Sequence, residues 1–372
     1  MRRTRYDLVL LLLTIVLVAI GITMVYSASA VLALERFGDS YFFLKRQLLW
    51  ALLGLVGLGG AMYFDHQKLR RCIYPLLGLS ILLLLLVLVS PWGKEIEGAR
   101  RWLRMGGITF QPSELAKLVL VIYLAHSLTK RQAALSSFTR GYLPHLLVIG
   151  LLALLIFLQP DLGTAVILVM VAFTLLFVGG VPWTFLSVSV LALLPWLYQA
   201  ITSADYRQRR ILAFQDPWSD PTDAGFQIIQ SLFALGRGGI WGLGLGAGKQ
   251  KLFFLPAPHT DFILAVLGEE LGFIGTAGLL VGFLLVLWRG MAIALRAKDP
   301  FSMQLAFGIV FLLLSQVIIN SGVVVGLLPT KGLPLPLISL GGSSLVTNMV
   351  GIGILLNISS QSSPPSSLRR RP

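Results

Sequence analysis

The stretch LVLLLLTIVLVAIGITMV, residues 8–25, decides the fold of this chain. It carries no charge and is long enough to cross most of the hydrocarbon core of a bilayer as a helix. A basic start precedes it and the small residues SASA follow it, as in a signal peptide, but the apolar run is long for a cleaved segment. We therefore predict an uncleaved first membrane span.

Similar apolar runs recur along the 372 residues, which are 56% hydrophobic and only 12% charged. Soluble globular domains do not have this composition. Strand-like alternation is absent, which argues against a membrane β-barrel. We predict an all-α polytopic membrane protein with about ten transmembrane helices, at 8–28, 47–64, 72–90, 114–128, 142–158, 162–179, 182–200, 265–288, 302–327 and 341–358.

These spans predict one membrane domain, residues 1–360, and a polar tail, residues 361–372, that we expect to be disordered and cytoplasmic. Half of the 30 basic residues fall in the short loops and ends on the side of the N-terminus. The positive-inside rule then places both termini in the cytoplasm. The connection between the seventh and eighth helices, residues 201–264, becomes a large extracytoplasmic loop.

The net charge of +14 is explained by this topology, so we predict no nucleic-acid binding. The single cysteine, Cys72, excludes an intrachain disulfide and a thiol–metal cluster. The Gly-rich run 236–248 lacks the spacing of a Walker loop and predicts a flexible or closely packed segment. Guanidinium groups on the predicted outer side form either a solvated rim or a site for a phosphate-bearing ligand: Arg100, Arg101, Arg207, Arg209 and Arg210.

Asp261 is the main candidate functional residue, because an acid at the mouth of a membrane helix is costly. In HTDFILAVLGEELG, residues 259–272, it stands where a wet loop becomes an apolar helix. If the helix begins there, Gly268 and Gly272 lie on the same face, where backbones can approach closely. Asp261 therefore either acts chemically or caps the helix.

Two further acidic positions have both a structural and a functional interpretation. Glu114 and Lys117 share a face of the fourth span. They form either an ion pair that lets two charges enter the span or part of a polar cavity. Asp161, between the fifth and sixth spans, either caps the next helix or orients a basic partner.

Five stretches resemble motifs of the SEDS family (shape, elongation, division and sporulation) and follow the family's order. They are GARRW at 98–102, FQPSELAK at 110–117, QPDLGTA at 159–165, HTDFILAVLGEELG at 259–272 and GLPLPLISLGGSSL at 332–345. AFQDPW at 213–218 and LPTKG at 328–332 resemble the division branch more than the elongation branch. The resemblance implies a ten-span peptidoglycan glycosyltransferase that polymerises lipid II on the outer face of the bacterial cytoplasmic membrane.

The resemblance makes Asp261 the essential carboxylate. It also implies a partner, a class B penicillin-binding protein that crosslinks the glycan, and other membrane proteins of the division or elongation machinery. We assign to the substrate-binding or active-site shell Arg101, Glu114, Lys117, Asp161, Arg210, Gln227, Ser231, His259, Thr260, Glu269, Lys331, Ser343 and Ser344.

The expected reaction is inverting glycosyl transfer with Asp261 as the general base on an acceptor hydroxyl. Outer arginines, with a divalent cation such as Mg²⁺ or Mn²⁺, would stabilise the leaving pyrophosphate. The sequence has no dedicated metal cage. Retention would need a second carboxylate as nucleophile, and Glu114 is the rival for that role.

Two other functions stay open at the level of the sequence. A lipid II flippase or transporter also suits polar residues within spans and a basic outer mouth. It differs from a polymerase in forming no product in detergent, where there are no sides to flip between. A non-catalytic scaffold of a division complex predicts that Asp261→Asn leaves growth unchanged.

Overall fold

The computed structural model describes residues 6–96, 99–105, 108–223, 225–252, 254–256 and 258–361. The chain is mainly helical, as predicted. The helices are α1 (Leu8–Phe37), α2 (Phe42–Tyr63), α3 (Leu69–Val89), α4 (Pro112–Lys130), α5 (Leu143–Phe157), α6 (Leu162–Val178), α7 (Trp183–Thr202), α8 (Asp205–Gln215), α9 (Phe226–Gly238), α10 (Ile263–Leu295), α11 (Pro300–Val324) and α12 (Gly342–Gln361).

Each of the ten predicted spans coincides with one helix, namely α1 to α7 and α10 to α12. Within the described ranges, 8 helices are long and apolar enough to cross a membrane. The fourth predicted span, α4, carries Glu114 and Lys117 near its start, and the sixth, α6, is apolar but only 17 residues long. The chain is a multi-pass membrane protein, and the count of ten spans stays a prediction.

The predicted tail lies outside the described residues from 362 onward. Gln361, which we expected to be its first residue, is still helical and ends α12. The long connection between α7 and α10 is more ordered than a loop. Its predicted helical patch, residues 226–236, forms most of α9, and the basic stretch before it forms α8, which we did not predict.

The helices pack around α4, α11 and α12, whose side chains are largely buried. By contrast, only Leu186 and Ala200 of α7 are buried, so this helix stands at the edge of the bundle. Local signals fix the helix ends. The side chain of Asp7 accepts a hydrogen bond from the Leu10 amide at the start of α1, and Gly38 ends α1 in the left-handed conformation.

A small antiparallel sheet, which the sequence analysis did not predict, lies between α3 and α4. Its strands are β1 (Gly93–Ile96), β2 (Ala99–Met105) and β3 (Ile108–Phe110), paired in that order. Strands of three to seven residues are too short to show a clear alternation of apolar and polar residues. The sheet positions Arg101 and leads directly into α4.

The helix α10 is broken at Gly272, whose φ of 67° and ψ of −166° leave the helical region. The loop 239–244 pairs with the freed backbone: Leu243 N–H donates to Glu269 O (3.1 Å) and Gly244 N–H to Glu270 O (2.9 Å). In return Phe273 N–H donates to Gly239 O (2.9 Å) and Ile274 N–H to Ile240 O (3.2 Å). The Gly-rich run is therefore a closely packed segment, the second of the two predicted alternatives.

Candidate active site

Asp261 lies in the turn that leads into α10, which begins at Ile263 with Phe262 in the N-cap position. The residue is half-buried. Its carboxylate faces Gly332, where an added Cβ would lie 3.1 Å from Asp261 Oδ2. The main acidic candidate thus adjoins the segment after α11, about 70 residues further along the chain.

Asn320 of α11 holds the backbone of Asp261 in place. Its Nδ2 donates to Asp261 O (2.9 Å) and to Leu333 O (2.7 Å), and the residue is only 2% exposed. Asn320 was not among the residues predicted from the sequence. The available signal was an amide in the apolar run VIINSG, because polar residues within spans are costly and have partners.

Ser339 makes a second connection between the same two segments. Its hydroxyl donates to Thr260 O (2.6 Å) and accepts from the Leu335 amide (2.8 Å). The Leu340 amide also donates to His259 O (2.9 Å). Thr260 and His259, both predicted members of the shell, are thereby fixed through their carbonyl groups.

The imidazole of His259 packs against Phe43 of α2, with ring centroids 4.6 Å apart. Burial, with a smaller contribution from the like charge of Arg36, lowers the pKa of His259 to about 4. At neutral pH this side chain is therefore uncharged and contributes no positive charge to the site.

A pocket of about 220 Å³ opens between α6, α7, α8 and the segment that contains Gly332. Four predicted shell residues line it together: Arg101, Asp161, Arg210 and Lys331. Arg207 is a fifth charged lining residue. Four cationic side chains thus face a single carboxylate. Gly332 belongs both to the wall of this pocket and to the surroundings of the Asp261 carboxylate.

Asp161 combines the two roles that the sequence left as alternatives. Its carboxylate caps α6 by accepting from the Thr164 amide (3.1 Å) and hydroxyl (2.9 Å). Its Oδ2 also lies 4.0 Å from Arg101 Nε. Arg101 donates in addition to the carbonyl oxygens of Gln159 and Pro160, so its guanidinium is held at the wall of the pocket.

Lys331 reaches the same wall from the segment after α11. An added Cβ on Gly163 would lie 3.3 Å from Lys331 Cδ, which shows how closely the two elements approach. Burial lowers the pKa of Lys331, and the nearby charge of Asp161 opposes that shift. Arg210 is exposed at the pocket mouth, with its guanidinium carbon 5.8 Å from the centre of the Tyr206 ring.

Glu114 and Lys117 form a buried ion pair on α4, with 2.8 Å between Lys117 Nζ and Glu114 Oε1. Each side chain is 2% exposed. Ser343 belongs to α12 and contacts the start of α4, where its hydroxyl accepts from the Gln111 amide (2.9 Å). Ser344 accepts from the side chain of Asn348 (3.2 Å) within α12. The membership of these four residues in the shell stays a prediction.

Ser231 and Glu269 are fully buried, and both make hydrogen bonds within the protein. The Ser231 hydroxyl donates to Val324 O (2.7 Å) and so joins α9 to the end of α11. The Glu269 carboxylate accepts from the amides of Lys249 (2.9 Å) and Gln250 (3.0 Å). Gln227 is half-buried in the first turn of α9. These contacts stabilise the connection that ends at Asp261.

Comparison with known proteins gives consistent matches over nearly the whole chain. The family described as Cell cycle protein, which comprises FtsW, RodA and SpoVE, matches residues 7–364. The "Probable peptidoglycan glycosyltransferase FtsW" of Geobacter sp. (strain M18) is 48% identical over 362 residues, covering 97% of this chain and 99% of the relative.

Two solved structures share the fold. A chain of a peptidoglycan synthase complex, described as coordinating polymerization and crosslinking, has a TM-score of 0.79 at 36% identity, covering 96% of this chain and 98% of that chain. The Rod shape determining protein RodA of Thermus thermophilus has a TM-score of 0.71 at 32% identity, covering 97% of this chain and 98% of that chain.

Proposed function

The chain belongs to the FtsW, RodA and SpoVE family of cell cycle proteins, and from that premise we propose that it joins lipid II units into glycan strands. It is a peptidoglycan glycosyltransferase. The observation that carries the choice of site is the position of Gly332, which adjoins the Asp261 carboxylate and also lines the basic pocket. The proposed base, Asp261, and the basic pocket are therefore neighbours, since both adjoin Gly332.

In the proposed reaction Asp261 takes the proton from the acceptor sugar hydroxyl. The hydroxyl oxygen forms a bond to the anomeric carbon of the donor glycan. The bond from that carbon to the pyrophosphate oxygen breaks, and its electron pair leaves with the lipid pyrophosphate. A single displacement inverts the anomeric configuration and needs only one carboxylate as base.

The basic pocket is suited to the departing pyrophosphate. Arginine binds phosphate oxygens in bidentate fashion, and a cationic wall stabilises the charge that develops on the leaving group. Asp161 keeps Arg101 at that wall and offsets only part of the positive charge. Because Arg207 and Arg210 belong to α8, the outer connection itself contributes to the anion site.

The residues that the structure describes do not form a protein cage for a divalent cation. Within the described part of the chain, no three His, Cys, Asp or Glu side chains cluster. Asp161 already accepts two hydrogen bonds from Thr164 and faces Arg101. A Mg²⁺ or Mn²⁺ ion would need most of its ligands from the substrate. No step of the proposed glycosyl transfer depends on such an ion. Polymerisation measured with and without EDTA tests this point directly.

We place the enzyme in the bacterial cytoplasmic membrane with both termini inside and the pocket on the outer face. The positive-inside distribution of Lys and Arg supports this orientation. A class B penicillin-binding protein is the proposed partner, and the likeness to a chain of a peptidoglycan synthase complex supports it. Other proteins of the division or elongation machinery are further proposed partners.

Arg210→Gln is expected to raise the KM for lipid II about tenfold, which corresponds to the roughly 1.5 kcal/mol of one charge-assisted hydrogen bond. The matched control is Arg209→Gln, because Arg209 is exposed, pairs with Asp223 and does not line the pocket. Steady-state polymerisation with purified protein in detergent measures both. An equal effect of the two changes would mean that general surface charge, and not the pocket, attracts the substrate.

Asn320→Ala is expected to lower kcat by up to about 10²-fold, because a base displaced by 1 Å loses its alignment with the acceptor. KM should change little, since Asn320 does not line the pocket. The loss of two bonds to buried carbonyls should also cost about 1–3 kcal/mol of stability. Ser315→Ala is the control on the same helix, because among the described residues that hydroxyl bonds only to the nearby Leu312 O. A fall in stability with unchanged kcat would reduce Asn320 to a purely structural role.

A further inference from the structure

The broken part of α10 carries a patch of large apolar side chains that the proposed reaction does not use. We call it the Trp241 patch. Trp241 is 82% exposed and Phe273 is 70% exposed. The full set is Ile240, Trp241, Leu243, Leu245, Phe273 and Ile274. Contiguous apolar surfaces of this kind mark sites of interaction with another protein or with a membrane.

The exposure of the patch is built into the fold. The four backbone hydrogen bonds between the loop 239–244 and the break at Gly272 hold the two halves of the patch side by side. A Cβ on either Gly242 or Gly272 would collide with the backbone of the other segment. The loop therefore cannot turn its apolar side chains inward without breaking these contacts.

The depth of the Trp241 patch follows from distances along two helices, α10 and α1, which share one reference point, the Asp7–Arg289 ion pair. Arg289 Nη2 lies 2.6 Å from Asp7 Oδ2, which ties α10 to the start of α1. From Gly272 to Arg289, α10 rises 17 residues, or about 26 Å at 1.5 Å per residue. From Asp7 to Ser27, α1 rises 20 residues, or about 30 Å.

Ser27 of α1 and the break in α10 lie at the same depth, because the Ser27 hydroxyl donates to the Glu270 carboxylate at 2.7 Å. The hydrocarbon core of a bilayer is about 30 Å thick. If the Asp7–Arg289 pair lies at one boundary of the core, the Trp241 patch lies at the opposite boundary. Trp288, which is 64% exposed and adjacent to Arg289, lies at the boundary marked by the Asp7–Arg289 pair.

The chemistry of the patch fits that depth. Tryptophan is enriched where hydrocarbon meets headgroups, since its ring is apolar and its N–H is polar. Arg237 and Lys249, both exposed, flank the loop and suit lipid phosphates. Below the patch the surface continues into exposed apolar side chains of α10, including Val281 (51%) and Leu284 (60%).

We propose that the Trp241 patch inserts into the lipid bilayer at the boundary opposite the Asp7–Arg289 ion pair. Its partner is the lipid surface itself, with acyl chains around the six apolar side chains and phosphates near Arg237 and Lys249. The inserted loop fixes the depth of the connection 249–261 relative to the headgroups. This inference stands on depth and exposure, and it does not require the proposed reaction.

Site-directed spin labelling tests the proposal with the full-length protein. The single cysteine allows a Cys72→Ala background, in which Trp241→Cys carries a nitroxide. After reconstitution in vesicles of phosphatidylethanolamine and phosphatidylglycerol, collisions with oxygen and with a water-soluble nickel complex are compared. Leu284→Cys on α10 is the lipid reference, and Thr222→Cys, exposed in a polar turn, is the water reference.

The ratio of oxygen to nickel collisions at position 241 should exceed that at position 222 several-fold and approach that at position 284. A ratio equal to that of position 222 overturns the proposal. Protection of position 241 from both reagents also overturns it, since that pattern means coverage by a second copy of the protein. Leu245→Cys repeats the measurement at a second position, so that misfolding of one variant does not decide the result.

Discussion

The Asp261→Asn variant is expected to fold like the wild type and to lose lipid II polymerisation by at least about 10²–10⁴-fold, the usual contribution of a general base. Asparagine keeps the shape of the side chain but cannot accept the proton of the acceptor hydroxyl. The backbone bond from Asn320 Nδ2 to Asp261 O does not involve the carboxylate, so the turn should stay in place. The loss should appear in kcat more than in KM.

The measurement is the formation of glycan strands from lipid II by purified protein in detergent, with thermal unfolding as the test of folding. Asp223→Asn is the matched control, because Asp223 lies in the same connection between α7 and α10 but is 69% exposed and pairs with Arg209. Full activity of Asp261→Asn would contradict the assignment of Asp261 as the general base. Inactive wild-type protein under the same conditions would instead favour a flippase or a scaffold.

Lys117→Met is expected to lower the free energy of unfolding by about 3–5 kcal/mol, the usual cost of leaving one charge of a buried pair alone. Both side chains of the pair are 2% exposed and they are 2.8 Å apart. The remaining Glu114 carboxylate would have to stay charged without its partner or take up a proton. Thermal unfolding in detergent with a fixed concentration of protein measures the loss.

The double variant Glu114→Gln, Lys117→Met separates the structural interpretation of this pair from the functional one. It removes both charges, so it should regain most of the stability lost in Lys117→Met. If it also regains polymerisation, the pair serves only to place two charges within α4. If it is stable and inactive, Glu114 or Lys117 takes part in the site. A double variant as unstable as Lys117→Met contradicts the ion-pair explanation itself.

The positions of the long helices followed from the sequence because each apolar run has the length of a membrane span. The short strands β1 to β3 did not, since three to seven residues show little periodicity. Helix α8 was missed for another reason: DYRQRRILAF is basic and mostly exposed, so no buried face shows in its pattern.

In the candidate site, too, some residues could be predicted from the sequence and others could not. Asp261, Asp161 and the arginines of the pocket stand out in the sequence because charges near membrane spans are costly. Asn320 and Ser339 do not stand out, because their importance lies in contacts with carbonyl groups far along the chain. The break of α10 at Gly272 was also hidden, since glycine within an apolar run is compatible with an unbroken helix.

By itself, the sequence determined the class of protein, the positions of its long apolar helices and the residues whose charge requires an explanation. These properties depend on the free energy of placing apolar and charged groups in water or in lipid. That free energy is a local property and can be estimated from any short stretch of the sequence. Only the tertiary structure decided which of those charges meet. Gly332 brings Asp261 to the basic pocket through a contact between distant segments, and such contacts depend on the packing of the whole helix bundle.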